Sequence, residues 1–138
     1  MAVRKICFFL SFLTTILLSG CSQLHTTEEA ARVAVQIDVT CTRDGESVTR
    51  QYTTPEKLEA MLLYLRLLKP KERAQIDPED YLGTVSKISV LLSSGEKRIY
   101  RIRADKFLSK DAAPWQVIDP AHAQQLYPLL LLMPSDPI

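Results

Sequence analysis

Two blocks of alternating apolar and polar residues, each broken by a glycine turn, constrain the fold of this chain most strongly. In the first block every second residue is apolar: Val33, Val35, Ile37, Val39 and Cys41. A period of two predicts a strand with one buried face. Asp44-Gly45 predicts a tight hairpin turn. Residues 46–53 then return as the partner strand, with Val48 and Tyr52 facing the same side as the first set.

The second block repeats the pattern about fifty residues later. Residues 85–92 alternate, Ser94-Gly95 supplies a turn, and residues 97–103 return. The residues expected to face inward are Ile88, Val90, Leu92, Tyr100 and Ile102. The chain is therefore expected to form two β-hairpins, each with one face available for burial.

Each hairpin precedes a segment that begins like a helix. Thr54-Pro55 and Asp119-Pro120 both offer an N-cap residue followed by proline at the first helical position. Apolar residues recur at helical spacing in the first segment: Leu58, Met61, Leu62, Leu65 and Leu68. A shift of 65 positions brings Met61 onto Leu126 in the second helix. Pro128 is expected to kink or split that helix, because it lacks a backbone donor.

The predicted fold class is α+β, a four-stranded antiparallel sheet with both helices on one face and a ββα–ββα quasi-repeat. A two-stranded unit is marginal alone, so pairing the hairpins would bury a continuous core. The alternative is a three-stranded sheet in which the Trp115 segment forms an edge and one hairpin stays loose. The connection at 69–83 is charged and proline-marked, with one helical turn expected after Asp77-Pro78.

The N-terminus has the features of an export signal. Arg4 and Lys5 precede an uncharged apolar run of thirteen residues, from 6 to 18. Export signals use apolar runs of about 7–15 residues, whereas a spanning helix needs about 20. The run ends in Leu18-Ser19-Gly20-Cys21, which resembles the lipobox of bacterial lipoproteins at every position.

The resemblance covers residues 1–22 and implies a membrane anchor. It implies cleavage after residue 20 and attachment of lipid to the Cys21 thiol. Ser22, rather than Asp, implies sorting to the outer membrane. Residues 21–31 are then a lipidated tether, and residues 32–138 are expected to form one domain that faces the periplasm.

Composition narrows the possible partners. Without Arg4 and Lys5, 15 basic residues face 16 acidic ones. Such a near-neutral exported domain is not expected to bind nucleic acid. Cys41 would be the remaining free thiol, and its place among inward-facing valines predicts an unreactive core residue.

No catalytic constellation is recognisable. His25 falls in the tether, and His122 is interpreted as a surface residue without an evident partner. The acidic residues Asp77, Glu79 and Asp80 lack the spacing of a calcium loop. We therefore expect no enzymatic activity, no cofactor and no bound metal.

One surface could bind a partner. The outer side of the second hairpin should carry exposed aliphatic side chains within a basic frame: Lys87, Leu91, Ile99, Arg101 and Arg103. This composition suits an acidic protein or the phosphates of an envelope glycolipid. The alternative is an ordinary solvated sheet face, or one that the Trp115 segment covers.

The sequence thus favours a non-enzymatic binding or accessory module, anchored in the cell envelope and bound to a protein partner there. The alternative is an inhibitor or immunity protein that blocks a toxin or a cell-wall-degrading enzyme. A protruding acidic or aromatic loop would favour inhibition, whereas a shallow groove on the sheet would favour the accessory role.

Overall fold

A computed structural model describes residues 33–137 as an α+β fold built on one antiparallel sheet. The six strands are β1 (Ala34–Arg43), β2 (Glu46–Tyr52), β3 (Val85–Leu92), β4 (Lys97–Arg103), β5 (Phe107–Lys110) and β6 (Gln116–Val117), in the spatial order β2-β1-β3-β4-β5-β6. The helices are α1 (Pro55–Leu67), α2 (Pro120–Ala123) and α3 (Leu126–Leu132), with a 3-10 turn at Pro78–Asp80.

The first strands of the two hairpins pair with each other at the centre of the sheet. Ile37 lies opposite Val90, and Val39 lies opposite Ile88. All four side chains are almost completely buried. The alternation that predicted these strands therefore corresponds to one buried face and one open face, which we call the inner and outer faces.

The helices cover the inner face. Met61 and Leu68 of the α1 segment and Leu130 of α3 are completely buried, and they belong to the same core cluster as the inward residues of β1, β3 and β4. Tyr64 also enters this core, where its hydroxyl donates a hydrogen bond of 2.9 Å to the carbonyl of Ala123. All the helices thus pack on one side, which leaves the outer face uncovered by helices among the described residues.

The prediction of four strands is wrong, because β5 and β6 extend the sheet beyond β4. They also interrupt the predicted ββα–ββα order before the second helical segment. The β4–β5 turn contains Ala104 at φ 53° and Asp105 at φ 55°. Left-handed backbone at two successive residues makes a tight hairpin turn, but such turns are normally signalled by Asn-Gly or Asp-Gly. The three-stranded alternative is also wrong, although the strand after Trp115 does form the edge.

The inward orientation predicted for Val33 and Val35 is wrong as well. The pairing of β1 with β3 shifts register between Ala34 and Gln36. This irregularity inserts one extra residue, which reverses the alternation at the start of the strand. Ala34 packs against the core instead, and both valines are exposed.

The second helical segment is split, as the proline predicted. The break falls at Gln124 and Gln125, between α2 and α3. Pro128 lies four residues after Gln124, and its ring would clash with the Gln124 carbonyl in a continuous helix. The split separates a short α2, capped by Asp119 through a 3.0 Å bond from the Ala121 amide, from a seven-residue α3.

The segment around Asp136 holds the residues at the start of α1. Thr54 occupies the predicted N-cap position, but its side chain caps no amide of the helix. Instead the Asp136 carboxylate accepts hydrogen bonds from the backbone amides of Thr53 at 2.7 Å and Thr54 at 2.8 Å. It also pairs with the Lys57 ammonium at 3.0 Å, with only 5 % of the aspartate side chain exposed. A residue eighty positions away thus satisfies polar groups at the first turn.

These contacts lower the pKa of the Asp136 carboxyl group. The hydrogen bonds from the Thr53 and Thr54 amides, followed by the contact with Lys57, hold the pKa of Asp136 well below its usual range. A folded-state pKa below the unfolded-state value means that the ionised form stabilises the fold. This stabilisation is fully present above the ordinary aspartate pKa of 3.8 and is lost as the pH falls.

We expect the substitution Asp136→Ala to lower the melting temperature at pH 7 by about 5 °C, since it leaves the Thr53 and Thr54 amides without their acceptor and removes the ion pair with Lys57. The difference from the unchanged protein should narrow as the pH falls below 4, because the unfolded chain then protonates this carboxyl group while the native state still keeps it ionised. Thermal melts followed by circular dichroism between pH 3 and pH 7 measure both effects. Asp44→Asn, in a turn that accepts either residue, is the matched control. Equal melting temperatures for Asp136→Ala and the control would contradict the assigned role.

Candidate functional site

The structure brings the five predicted surface residues to the outer face of β3 and β4. Lys87 lies directly opposite Arg101, and Arg103 lies opposite Val85. Leu91 pairs with Lys97, and Ile99 pairs with Ser89. The lipidation residue of the prediction, Cys21, lies outside the described residues.

The basic end of this surface borders a small cavity. The cavity has a volume of 190 Å³ and is lined by Glu79, Val85, Lys87, Arg101, Arg103 and Trp115, among others. Trp115 is half-buried. It is held there by backbone hydrogen bonds of the neighbouring segments, including one of 2.9 Å from the Ala74 amide to the Trp115 carbonyl. Trp115 and three basic residues thus line this feature together with Glu79 and apolar residues, and we call it the Trp115 cavity.

Arg103 is the most constrained basic residue of the Trp115 cavity. Its Nη2 donates a hydrogen bond of 2.9 Å to the backbone carbonyl of Glu79. Its Nε is buried and has no hydrogen-bond partner among the described residues. A buried donor without an acceptor costs free energy, about 1–3 kcal/mol and more for a charged group. The Arg103 guanidinium also has no carboxylate counterion among the described residues.

Like charges face each other across the same two strands. Lys87 and Arg101 occupy directly paired positions, where cross-strand Cβ atoms are about 5 Å apart. None of Lys87, Arg101 and Arg103 forms an ion pair with another described residue. Opposed like charges destabilise a sheet unless an anion screens them. The arrangement is thus suited to binding a negatively charged group.

The aliphatic end of the surface is separate from the cavity. Leu91 and Ile99 are half-buried rather than fully exposed, and neither lines the Trp115 cavity. The Ile99 backbone is fixed by Asp111, whose carboxylate accepts a 2.8 Å hydrogen bond from the Ile99 amide. The surface therefore has a basic end at the Trp115 cavity and an aliphatic end outside it.

Sequence reasoning missed Glu79 as a member of the site and left Trp115 only as a possible cover. Both come from connections rather than from the alternating strands. The only signal for Trp115 was a large aromatic residue within a polar segment, because a tryptophan ring usually buries part of its surface. Nothing in the sequence indicated that Glu79 would approach Arg103 through its backbone carbonyl.

The remaining chemical groups have structural surroundings. Cys41 is buried in the core, where its sulfur accepts a 3.3 Å hydrogen bond from the Ser86 hydroxyl. Burial is the main cause that raises the pKa of the Cys41 thiol above its ordinary 9.0, and the Ser86 contact acts in the opposite direction. A thiol in this state is protonated at neutral pH and is a poor nucleophile.

The acidic turn is also accounted for by local structure. The Asp77 carboxylate accepts a 3.0 Å hydrogen bond from the Glu79 amide and so caps the 3-10 turn. Within residues 33–137, no three histidine, cysteine, aspartate or glutamate side chains cluster closely enough to hold a metal ion. In the same range, no helix is both long enough and apolar enough to span a bilayer.

Comparison with known proteins gives no match to a family model, to a curated protein or to a solved structure.

Cys41 is expected to react slowly with a thiol reagent until the domain unfolds, because its sulfur is buried. Cys41→Val should lower the free energy of unfolding by about 1 kcal/mol, since it leaves the Ser86 hydroxyl without its acceptor. Mass spectrometry that locates the modified cysteine, with and without denaturant, measures the accessibility. Rapid labelling of Cys41 in the native protein would contradict its place in the core.

Proposed function

We propose that this chain is a lipid-anchored, non-enzymatic binding module of the bacterial cell envelope, and that the outer face around the Trp115 cavity binds an acidic group of a protein partner. The observation that carries the proposal is the direct pairing of Lys87 with Arg101 beside Arg103, three basic residues that line one cavity and have no ion-pair partner among the described residues. Binding a carboxylate there would place a counterion beside the Arg103 guanidinium and would screen the repulsion between Lys87 and Arg101.

The aliphatic end of the surface favours a protein over an isolated small anion. Leu91 and Ile99 lie on the same outer face as the basic residues. Protein interfaces combine apolar contact area with a polar, charged rim, whereas an inorganic anion needs only the donors. Trp115 adds the kind of large, rigid contact surface that is enriched among interface residues.

A concave site on a sheet supports the accessory role more than it supports inhibition. An inhibitor that enters an enzyme's cleft needs a protruding loop. The outer-face site is instead a concave surface between two strands and a packed connection. The candidate partner is therefore one that presents a convex acidic surface to this face.

The N-terminal sequence supports the anchor. A basic start, a thirteen-residue apolar run and the Leu18-Ser19-Gly20-Cys21 motif agree with one another. A single acyl chain binds a membrane only marginally, at about 0.8 kcal/mol per buried methylene, so durable anchoring needs at least two chains. The proposal places the domain on the periplasmic side of the outer membrane, at the end of a short polar tether.

Cys21→Ala should abolish incorporation of labelled fatty acid, because no thiol remains at the lipobox position to accept diacylglycerol. The protein should then keep its signal or leave the membrane fraction. Metabolic labelling with palmitate, followed by fractionation of the envelope, measures both outcomes. Incorporation of palmitate into the Cys21→Ala protein at the level of the unchanged protein would rule out this anchor.

Reversing two charges tests the partner-binding surface. Arg101→Glu with Arg103→Glu should weaken capture of envelope proteins by about tenfold or more, because a repulsive charge replaces an attractive one at a partly desolvated site. Quantitative mass spectrometry of proteins cross-linked to the anchored chain measures the capture. The single variant Arg101→Glu, at an exposed position, should show a smaller loss with unchanged thermal stability.

Lys106→Glu is the matched control for Arg101→Glu, since Lys106 is exposed in the β4–β5 turn and lies outside the Trp115 cavity. It should leave capture unchanged. If Arg101→Glu captures every partner of the unchanged protein, or if Lys106→Glu loses the same partners, the outer face is not the binding site. Loss of binding to glycolipid vesicles with no loss of protein capture would also contradict the proposal.

A further inference from the structure

A second concave surface lies between α1 and the two short helices, away from the outer face. It encloses 330 Å³, and its lining is mainly apolar, with Leu63, Leu67, Leu129 and Leu132 among its residues. Leu63 is 51 % exposed and Leu132 is 80 % exposed. Several large exposed leucines around one groove form the kind of contiguous patch that marks an interaction surface.

The charges of α1 are arranged antisymmetrically about the centre of this patch. Glu56 and Glu59 lie in the first half of the helix, and Arg66 and Lys69 lie in its last turn and just beyond it. The pair 56 and 69 and the pair 59 and 66 share one midpoint, between Leu62 and Leu63.

These four charges are available for contacts outside the described chain. All four side chains belong to exposed residues, and none forms an ion pair with another described residue. Lys57, the remaining charged residue of α1, is already held by Asp136 at 3.0 Å and by the Pro134 carbonyl at 2.8 Å. The unpaired charges of the helix are therefore only those that fit the antisymmetric pattern.

We propose that this groove is a docking surface for a second copy of the chain, joined through antiparallel packing of α1 against α1. A two-fold axis through the Leu62–Leu63 midpoint places Glu59 of one copy against Arg66 of the other, each about 5 Å from the axis along its helix. The same operation brings the acidic start of one helix to the basic end of its partner. Such a surface is self-complementary, as an interface between identical copies requires.

The charges argue against a lipid surface as the occupant. A helix that lies on a bilayer presents leucines to the acyl region and mainly basic side chains to anionic headgroups. Here Glu56 and Glu59 flank the apolar stripe at one end, and anionic lipid would repel them. A second copy neutralises both ends at once.

Disulfide cross-linking of the full chain in its own membrane tests the proposal. Leu63→Cys places a thiol beside the proposed axis, where the same residue of the partner copy lies within reach. Mild oxidation should then give a covalent dimer on a non-reducing gel. The unsubstituted chain and Leu82→Cys are the controls, since Leu82 is 96 % exposed in the 69–84 connection and lies outside the groove.

Charge exchange shows whether the partner is a second copy. In the Leu63→Cys background, Glu59→Arg alone or Arg66→Glu alone should reduce the dimeric fraction several-fold, because each creates a repulsive pair. The two substitutions together should restore it, because the pair is re-formed with reversed signs. The melting temperature of each variant should stay close to that of the unchanged chain, as both positions are exposed.

The proposal is overturned if Leu63→Cys dimerises no more than Leu82→Cys, or if the double exchange fails to restore the dimer. It is also overturned if the Leu63→Cys thiol is modified by a bilayer-confined reagent while no dimer forms, since lipid would then cover the groove. None of these outcomes depends on the outer-face site, whose variants leave α1 unchanged.

Discussion

The pairing of β1 with β3 is the interaction on which the other parts of the fold depend. It joins two hairpins that are separated along the chain by α1 and a long connection, and its register places Ile37 and Val39 against Val90 and Ile88. A hairpin alone is marginal in water, so neither pair of strands offers a stable surface until this contact forms. Once it forms, the inner face is wide enough to receive all the helices, and the outer face becomes a continuous surface.

Local signals in the sequence were sufficient for the elements that form through nearest neighbours. The bounds of β3 and β4, the Asp44-Gly45 turn and the split caused by Pro128 all follow from alternation, glycine turns or proline sterics. The elements that were missed depend on strain or on distant residues. Ala104 and Asp105 adopt a backbone conformation that their sequence does not favour, and the surrounding sheet has to enforce it.

The outer-face site was likewise predictable from local sequence only in part. Strand alternation was sufficient to place Lys87, Arg101 and Arg103 on one face, because side-chain direction in a strand has a fixed period. The wall that turns this face into a cavity comes from Trp115, which reaches the strands through a connection without a period of its own. A surface patch can thus be read from sequence, whereas its concavity depends on packing between segments that are remote in the chain.

The contacts of Asp136 determine when the fold can be completed. A chain emerges N-terminus first, so the amides of Thr53 and Thr54 are made long before the carboxylate that accepts their hydrogen bonds. The Gln51 carbonyl likewise lacks a donor until the Asp136 amide is made, which then donates a hydrogen bond of 2.9 Å to it. The first helix and the edge of the sheet therefore lack these contacts until residue 136 has been made and has become free to reach them. Closing this junction joins the start of the first helix to a residue that is made about eighty positions later, so this part of the fold cannot form in strict chain order.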